Sequence, residues 1–89
     1  MNTNKFTYKD LTIIYMALLD KACLNSTPSY ERDKCYDISE TLFDHTELSR
    51  GDLRLICDSL RSYYVRYEYE LYESKECKRV YSKILREMR

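Results

Sequence analysis

The chain has 89 residues, with fifteen basic and fifteen acidic side chains, one histidine, one glycine, one proline, four cysteines and ten tyrosines. That length supports one domain over residues 1–89, since a chain this size buries about two thirds of its unfolded surface and cannot sustain two cores. Cancelling charges weigh against a nonspecific DNA binder built on counterion release, though they leave room for a local basic patch, and the near absence of Gly and Pro argues against sheets and tight turns in favour of an all-α bundle.

The first ten residues, MNTNKFTYKD, hold no apolar core behind a basic start, and no apolar run approaches the roughly 20 residues that span a bilayer. The expectation is a soluble, cytoplasmic protein with no membrane contact. Cys23, Cys35, Cys57 and Cys77 form no C-x-x-C pair, and His45 is the sole histidine, so no metal or cofactor site is expected. Without an export signal the four thiols are expected to be reduced and to act as small core residues.

Thr7 precedes Asp10 by three residues and Ser49 precedes Asp52 by three, a variant of the capping-box pattern, and each stands before a periodic apolar run. Helix one runs from Tyr8 to about Leu24. Leu11, Ile14, Leu18 and Ala22 follow helical spacing, while Ile13, Met16, Ala17 and Leu19 make the flanks apolar as well. Such a helix must be covered on more than one side, either by the chain's own helices or by a second copy. A homodimer through Ile13, Met16 and Leu19 is therefore expected. Asn25 to Pro28 end the helix, because a residue before proline leaves the helical region.

Helix two runs from Ser29 or Tyr30 to Asp44, burying Cys35, Ile38 and Leu42 with Phe43 beside them. Between Glu31 and Glu47 six carboxylates face Arg32 and Lys34, a local net charge of −4. After His45 to Leu48, Ser49 caps helix three, whose inner face is Leu53, Ile56, Leu60 and Tyr64 or Tyr67, with Arg54, Asp58 and Arg61 in water. The remainder has two readings, a break near Glu68 to Leu71 or one continuous rod from Arg50 to Glu87 of about 60 Å. From Lys75 to Arg89 six cations face Glu76 and Glu87, a net charge of +4, so helices two and four are expected to attract within or between chains.

An offset of 42 residues favours the break. It brings Asp10, Leu11, Ile14, Leu18, Tyr30, Glu31 and Cys35 onto Asp52, Leu53, Ile56, Leu60, Tyr72, Glu73 and Cys77. We read two helical-hairpin repeats, residues 7–45 and 49–87, giving four helices. The competing reading is that amphipathic stretches align merely by sharing a period.

Arg61 to Tyr72, RSYYVRYEYELY, is the richest surface candidate. One core stripe takes Tyr64 and Tyr67 at most, so aromatic area is expected to stay exposed beside the arginines. Tyr and Arg dominate binding hot spots, which makes Arg61, Tyr63, Arg66, Tyr67, Tyr69 and Tyr72 the partner-binding candidates. A helix-turn-helix presenting Arg50, Arg54 and Arg61 is weaker, because Asp52 and Asp58 share that helix and helix two is acidic. No Cys or Ser has a spacing that pairs it with His45 for catalysis, so no enzyme is expected.

The functional expectation is a small helical protein–protein interaction module. Short chains rich in Lys, Tyr and Asn are frequent among phage and plasmid accessory proteins, and an inhibitor occupying the surface of a host defence protein is the specific form. The alternative is a nucleic-acid or nucleotide binder using Arg61, Arg66, the tyrosines and the basic final helix. A third reading is a redox response through Cys35 and Cys77.

Overall fold

The computed structural model describes residues 1–67 and 72–88, the side chain of residue 72 excepted. A 3-10 turn at Thr3–Lys5 leads into α1 (Tyr8–Ala22), α2 (Ser29–Thr41), α3 (Arg50–Tyr67) and α4 (Tyr72–Met88), the four-helix bundle expected from composition.

Helix starts are set locally. The Thr7 hydroxyl accepts the Asp10 N–H at 3.1 Å while Asp10 Oδ2 accepts the Thr7 N–H at 3.2 Å, closing a capping box. Ser49 and Asp52 form the same reciprocal pair at 3.0 and 3.1 Å.

Helix ends come earlier than the periodicity predicts. α1 stops at Ala22 rather than Leu24, and its orphan carbonyls find donors outside the helix. Arg32 Nε donates to the Ala22 carbonyl at 2.9 Å, and the Thr27 hydroxyl donates to that of Lys21 at 2.7 Å. α2 stops at Thr41 rather than Asp44. The Thr41 carbonyl accepts the Asp44 N–H at 3.1 Å and the Thr46 hydroxyl at 2.8 Å, and His45 turns the chain with φ of 53°.

α1 packs on α2, α3 and α4 alike, which explains its excess of apolar residues. Ile14, Ala17 and Leu18 are fully buried. The three residues expected at a dimer surface are differently exposed. Ile13 is 7 % exposed and belongs to the intramolecular core, Met16 packs against that core, and Leu19 is half-buried. The chain itself thus covers Ile13, while Met16 and Leu19 stay partly exposed.

α3 and α4 also pack on each other, with the Tyr64 and Tyr81 rings 6.2 Å apart, in a molecule measuring 31 × 27 × 23 Å. A rod of about 60 Å does not fit that body, so α3 and α4 are separate helices. The break expected near Glu68 to Leu71 lies outside the described residues. Ile14 and Ile56, Leu18 and Leu60, Cys35 and Cys77, and Leu42 and Ile84, each pair 42 positions apart, are all 0 % exposed.

Charge fastens α4 to α1. Asp10 is 1 % exposed and accepts from Arg79 at 2.7 Å and Lys83 at 2.9 Å. Burial pushes the Asp10 pKa up, but the hydrogen bonds from Lys83, Arg79 and the Thr7 N–H outweigh it and hold the carboxyl at about 2. Glu76 extends the cluster, 2.5 Å from Lys9 and 3.0 Å from Arg79. Within the chain, two of the α4 cations, Arg79 and Lys83, are thus directed to a carboxylate of α1 rather than to the acidic residues of α2.

Residues 1–3 run against residues 46–48. The Thr3 N–H donates to Thr46 and the Leu48 N–H to Met1, both at 2.9 Å, and Asn2 and Glu47 form an isolated antiparallel bridge. The strap leads into Phe6, which is buried with Lys83 Nζ of α4 5.5 Å over its ring.

Candidate functional site

The tyrosine and arginine stretch of α3 is largely structural where it is described. Tyr63 is 9 % exposed, so it enters the core in place of Tyr64 or Tyr67. The reason is spacing: Leu53, Ile56, Leu60 and Tyr63 step by three, four and three along one face, which α1 and α4 cover together. Burial pushes the Tyr63 hydroxyl above its ordinary pKa, and its ring lies 4.7 Å from that of Tyr67. Arg66 pairs with Asp20 on α1 and stands 5.3 Å over the Tyr67 ring. Arg61 is exposed. Tyr69 and the side chain of Tyr72 lie outside what is described. The described members thus tie α3 to α1 rather than offering a broad aromatic surface.

That surface lies on α1 and α2. Tyr8 is 78 % exposed, Tyr15 40 %, Tyr36 42 % and Phe43 41 %. Phe43, expected beside the core, instead stands between two tyrosines, its ring 5.4 Å from Tyr8 and 6.2 Å from Tyr15. The helical repeat produces this grouping. Tyr8 and Tyr15 are seven residues apart on α1, and Tyr36 and Phe43 are seven apart on α2 and the turn that follows it. That seven-residue spacing was the available signal, and only the packing of α2 on α1 joins the two rows.

Beside the rings opens a cavity of about 330 Å³ lined by Phe6, Tyr8, Leu11, Leu42 and Phe43, with Thr3, Asn4 and His45 at its polar side. Along α2 and its C-terminal turn, Asp33, Asp37, Glu40 and Asp44 are exposed and follow helical steps of four, three and four. Among the described residues none of these four makes an ion pair. The cations of the same segment are engaged elsewhere. Arg32 caps α1, and Lys34 lies 3.4 Å from Asp52. An acidic row with no counterion among the described residues therefore runs along the helix that carries Tyr36 and leads to Phe43.

Other candidates are weaker. Eight residues separate α2 from α3, and α2 packs chiefly on α1, so the tight turn of a helix-turn-helix is missing. His45 is exposed, and its carbonyl accepts from Asn2 Nδ2 at 3.4 Å. No group of His, Cys, Asp or Glu among the described residues is placed to hold a metal ion, and no helix among them is long and apolar enough to cross a membrane. Two further cavities of about 320 Å³ lie near Lys34, Arg54 and Asp58, and near Met1, Leu53 and Met88.

Cys35, Cys57 and Cys77 are buried, and burial is the first cause that raises each thiol pKa, to about 11 for Cys57 and about 12 for Cys77. Compared with protein-family models, with curated proteins and with solved structures, the chain shows no match.

Proposed function

We propose that this protein is a protein-binding module whose contact face is the exposed aromatic cluster of α1 and α2. The supporting observation is the grouping of Tyr8, Tyr15 and Phe43, with the Phe43 ring between the two tyrosines and all three left 40 to 78 % exposed. Rings that hold one another in place lose little freedom when a partner covers them, which is why aromatic side chains dominate protein interfaces. One chain presents the whole face, so binding requires no second copy. Size and composition, rather than any residue of this face, carry the narrower proposal that the partner is a host defence protein blocked by occupation of its surface.

Nucleic-acid binding has less support. Of its proposed residues, Arg66 is paired with Asp20 and Tyr63 is buried, while the exposed aromatic rings are accompanied by carboxylates that repel phosphate. The test is affinity purification of tagged protein from a host lysate treated with nuclease, beside a Tyr8→Ala, Phe43→Ala variant and an Arg61→Ala variant. A protein retained through nuclease and by Arg61→Ala, but lost with the aromatic pair, is the expected result. Retention by the aromatic variant, or capture of nucleic acid alone, overturns the reading.

A further inference from the structure

We infer that the outward faces of α2 and α4 recognise each other between two copies of this chain, the acidic row of one copy lying on the basic row of the next. The inference is independent of the aromatic face and of any partner that face binds.

Charge complementarity between two matched helix faces carries it. Asp33, Asp37, Glu40 and Asp44 are exposed on the side of α2 and its C-terminal turn opposite the buried Cys35, Ile38 and Leu42. On α4, Lys75, Lys78 and Arg86 are exposed in the same way, opposite the buried Cys77, Val80 and Ile84. The internal repeat accounts for the match. Asp33 and Lys75, and Asp44 and Arg86, are each 42 positions apart, so the two rows occupy equivalent faces with opposite charge. Each row extends about 16 Å at the helical rise. An antiparallel crossing, which also aligns the helix dipoles favourably, sets Asp33 against Arg86, Glu40 against Lys78 and Asp44 against Lys75.

Both rows point away from the core that their helices share, so they cannot meet within one chain, and among the described residues neither row forms an ion pair. The α4 cations that turn inward, Arg79 and Lys83, are held by Asp10. A formal net charge of zero adds no overall repulsion between copies. Because the two faces differ, the contact is heterologous, and a pair leaves one acidic and one basic row free for further copies. Exposed ion pairs are individually weak and screened by salt, so association grows as protein concentration rises and as ionic strength falls.

The test is sedimentation equilibrium of the full chain over a range of concentrations, at low salt and at about 0.5 M salt, where screening shortens to a few ångströms. The parent is expected to gain average mass with concentration at low salt and to return to monomer at high salt. Glu40→Gln with Asp44→Asn, or Lys78→Gln with Arg86→Gln, should each weaken association about tenfold. Arg54→Gln with Arg61→Gln makes the same change in net charge at exposed positions of α3 and should leave it unchanged. Exchanging the two rows in one chain, with Glu40→Lys, Asp44→Lys, Lys78→Glu and Arg86→Glu, keeps the net charge and should restore association that either half of the exchange alone abolishes. A parent that stays monomeric at low salt, association that high salt leaves intact, or equal weakening by the α3 pair overturns the inference. So does an exchanged chain that melts like the parent and remains monomeric.

Discussion

Asp10 on α1 and Arg79 on α4 meet at 2.7 Å, with Lys83 completing the contact to the same carboxylate at 2.9 Å. The capping residue of one helix is thereby the electrostatic anchor of another. Asp10→Asn keeps the size of the side chain but leaves two cations facing a neutral group. It is expected to cost about 2 kcal/mol in urea denaturation, because the buried carboxylate loses its charge-assisted hydrogen bonds, while Arg79 keeps Glu76 and contact with water.

The same carboxyl makes stability depend on pH in a calculable direction. Its pKa falls from 3.8 to about 2 on folding, so the folded state favours the ionised form. Its contribution, about 2 kcal/mol, is complete above pH 4 and disappears as pH falls towards 2. Other carboxylates titrate in that range too, so the decisive quantity is the difference between parent and Asp10→Asn measured at pH 6, 4, 3 and 2. That difference should shrink across the interval.

Exposed and buried aromatic residues should divide cleanly between binding and folding. Tyr8→Ala is expected to change stability by less than about 1 kcal/mol and to weaken partner binding at least about tenfold. Tyr63→Ala, which opens the core between α1, α3 and α4, should cost about 3 kcal/mol. Thermal melts set beside partner pull-downs distinguish the two classes.

Thiol accessibility gives a further check. Cys23 is exposed while Cys35, Cys57 and Cys77 are buried with raised pKa values. A thiol reagent at neutral pH should modify Cys23 rapidly and the other three only as the protein unfolds. Mass spectrometry of partially labelled protein reads the site. Rapid labelling of Cys77 would show that α4 opens readily from the bundle.

His45 has φ of 53°, in the left-handed region that disfavours branched side chains. His45→Gly should leave the protein as stable or raise stability by about 1 kcal/mol, whereas His45→Val should lower it by about 1 to 2 kcal/mol. Urea midpoints compare the two.

Much of the architecture is legible in local patterns. Thr7 with Asp10 and Ser49 with Asp52 mark helix starts because capping acts within a single turn. Ile14, Leu18, Ile56 and Leu60 are core residues because helical pitch returns them to one face. Tyr63 shows where that logic ends. Tyr63, Tyr64 and Tyr67 all border the stripe, and the choice among them depends on the angle at which α1 and α4 meet α3.

The binding face is a more extreme case of the same limit. The spacing of Tyr8 with Tyr15 and of Tyr36 with Phe43, and the acidic row from Asp33 to Asp44, are properties of the linear chain. That Phe43 comes to lie between Tyr8 and Tyr15 follows from how α2 settles against α1, a contact between residues nearly thirty or more positions apart. The charge balance behaves likewise. Counting residues shows an acidic second helix and a basic fourth, but only folding commits Arg79 and Lys83 to Asp10, engages Arg32 with the end of α1, and leaves the carboxylates of α2 facing outward. Periodicity and capping act within a few residues and can be read along the chain. Which exposed groups remain unpaired depends on long-range packing, where many arrangements of similar local quality compete and the shared core selects one.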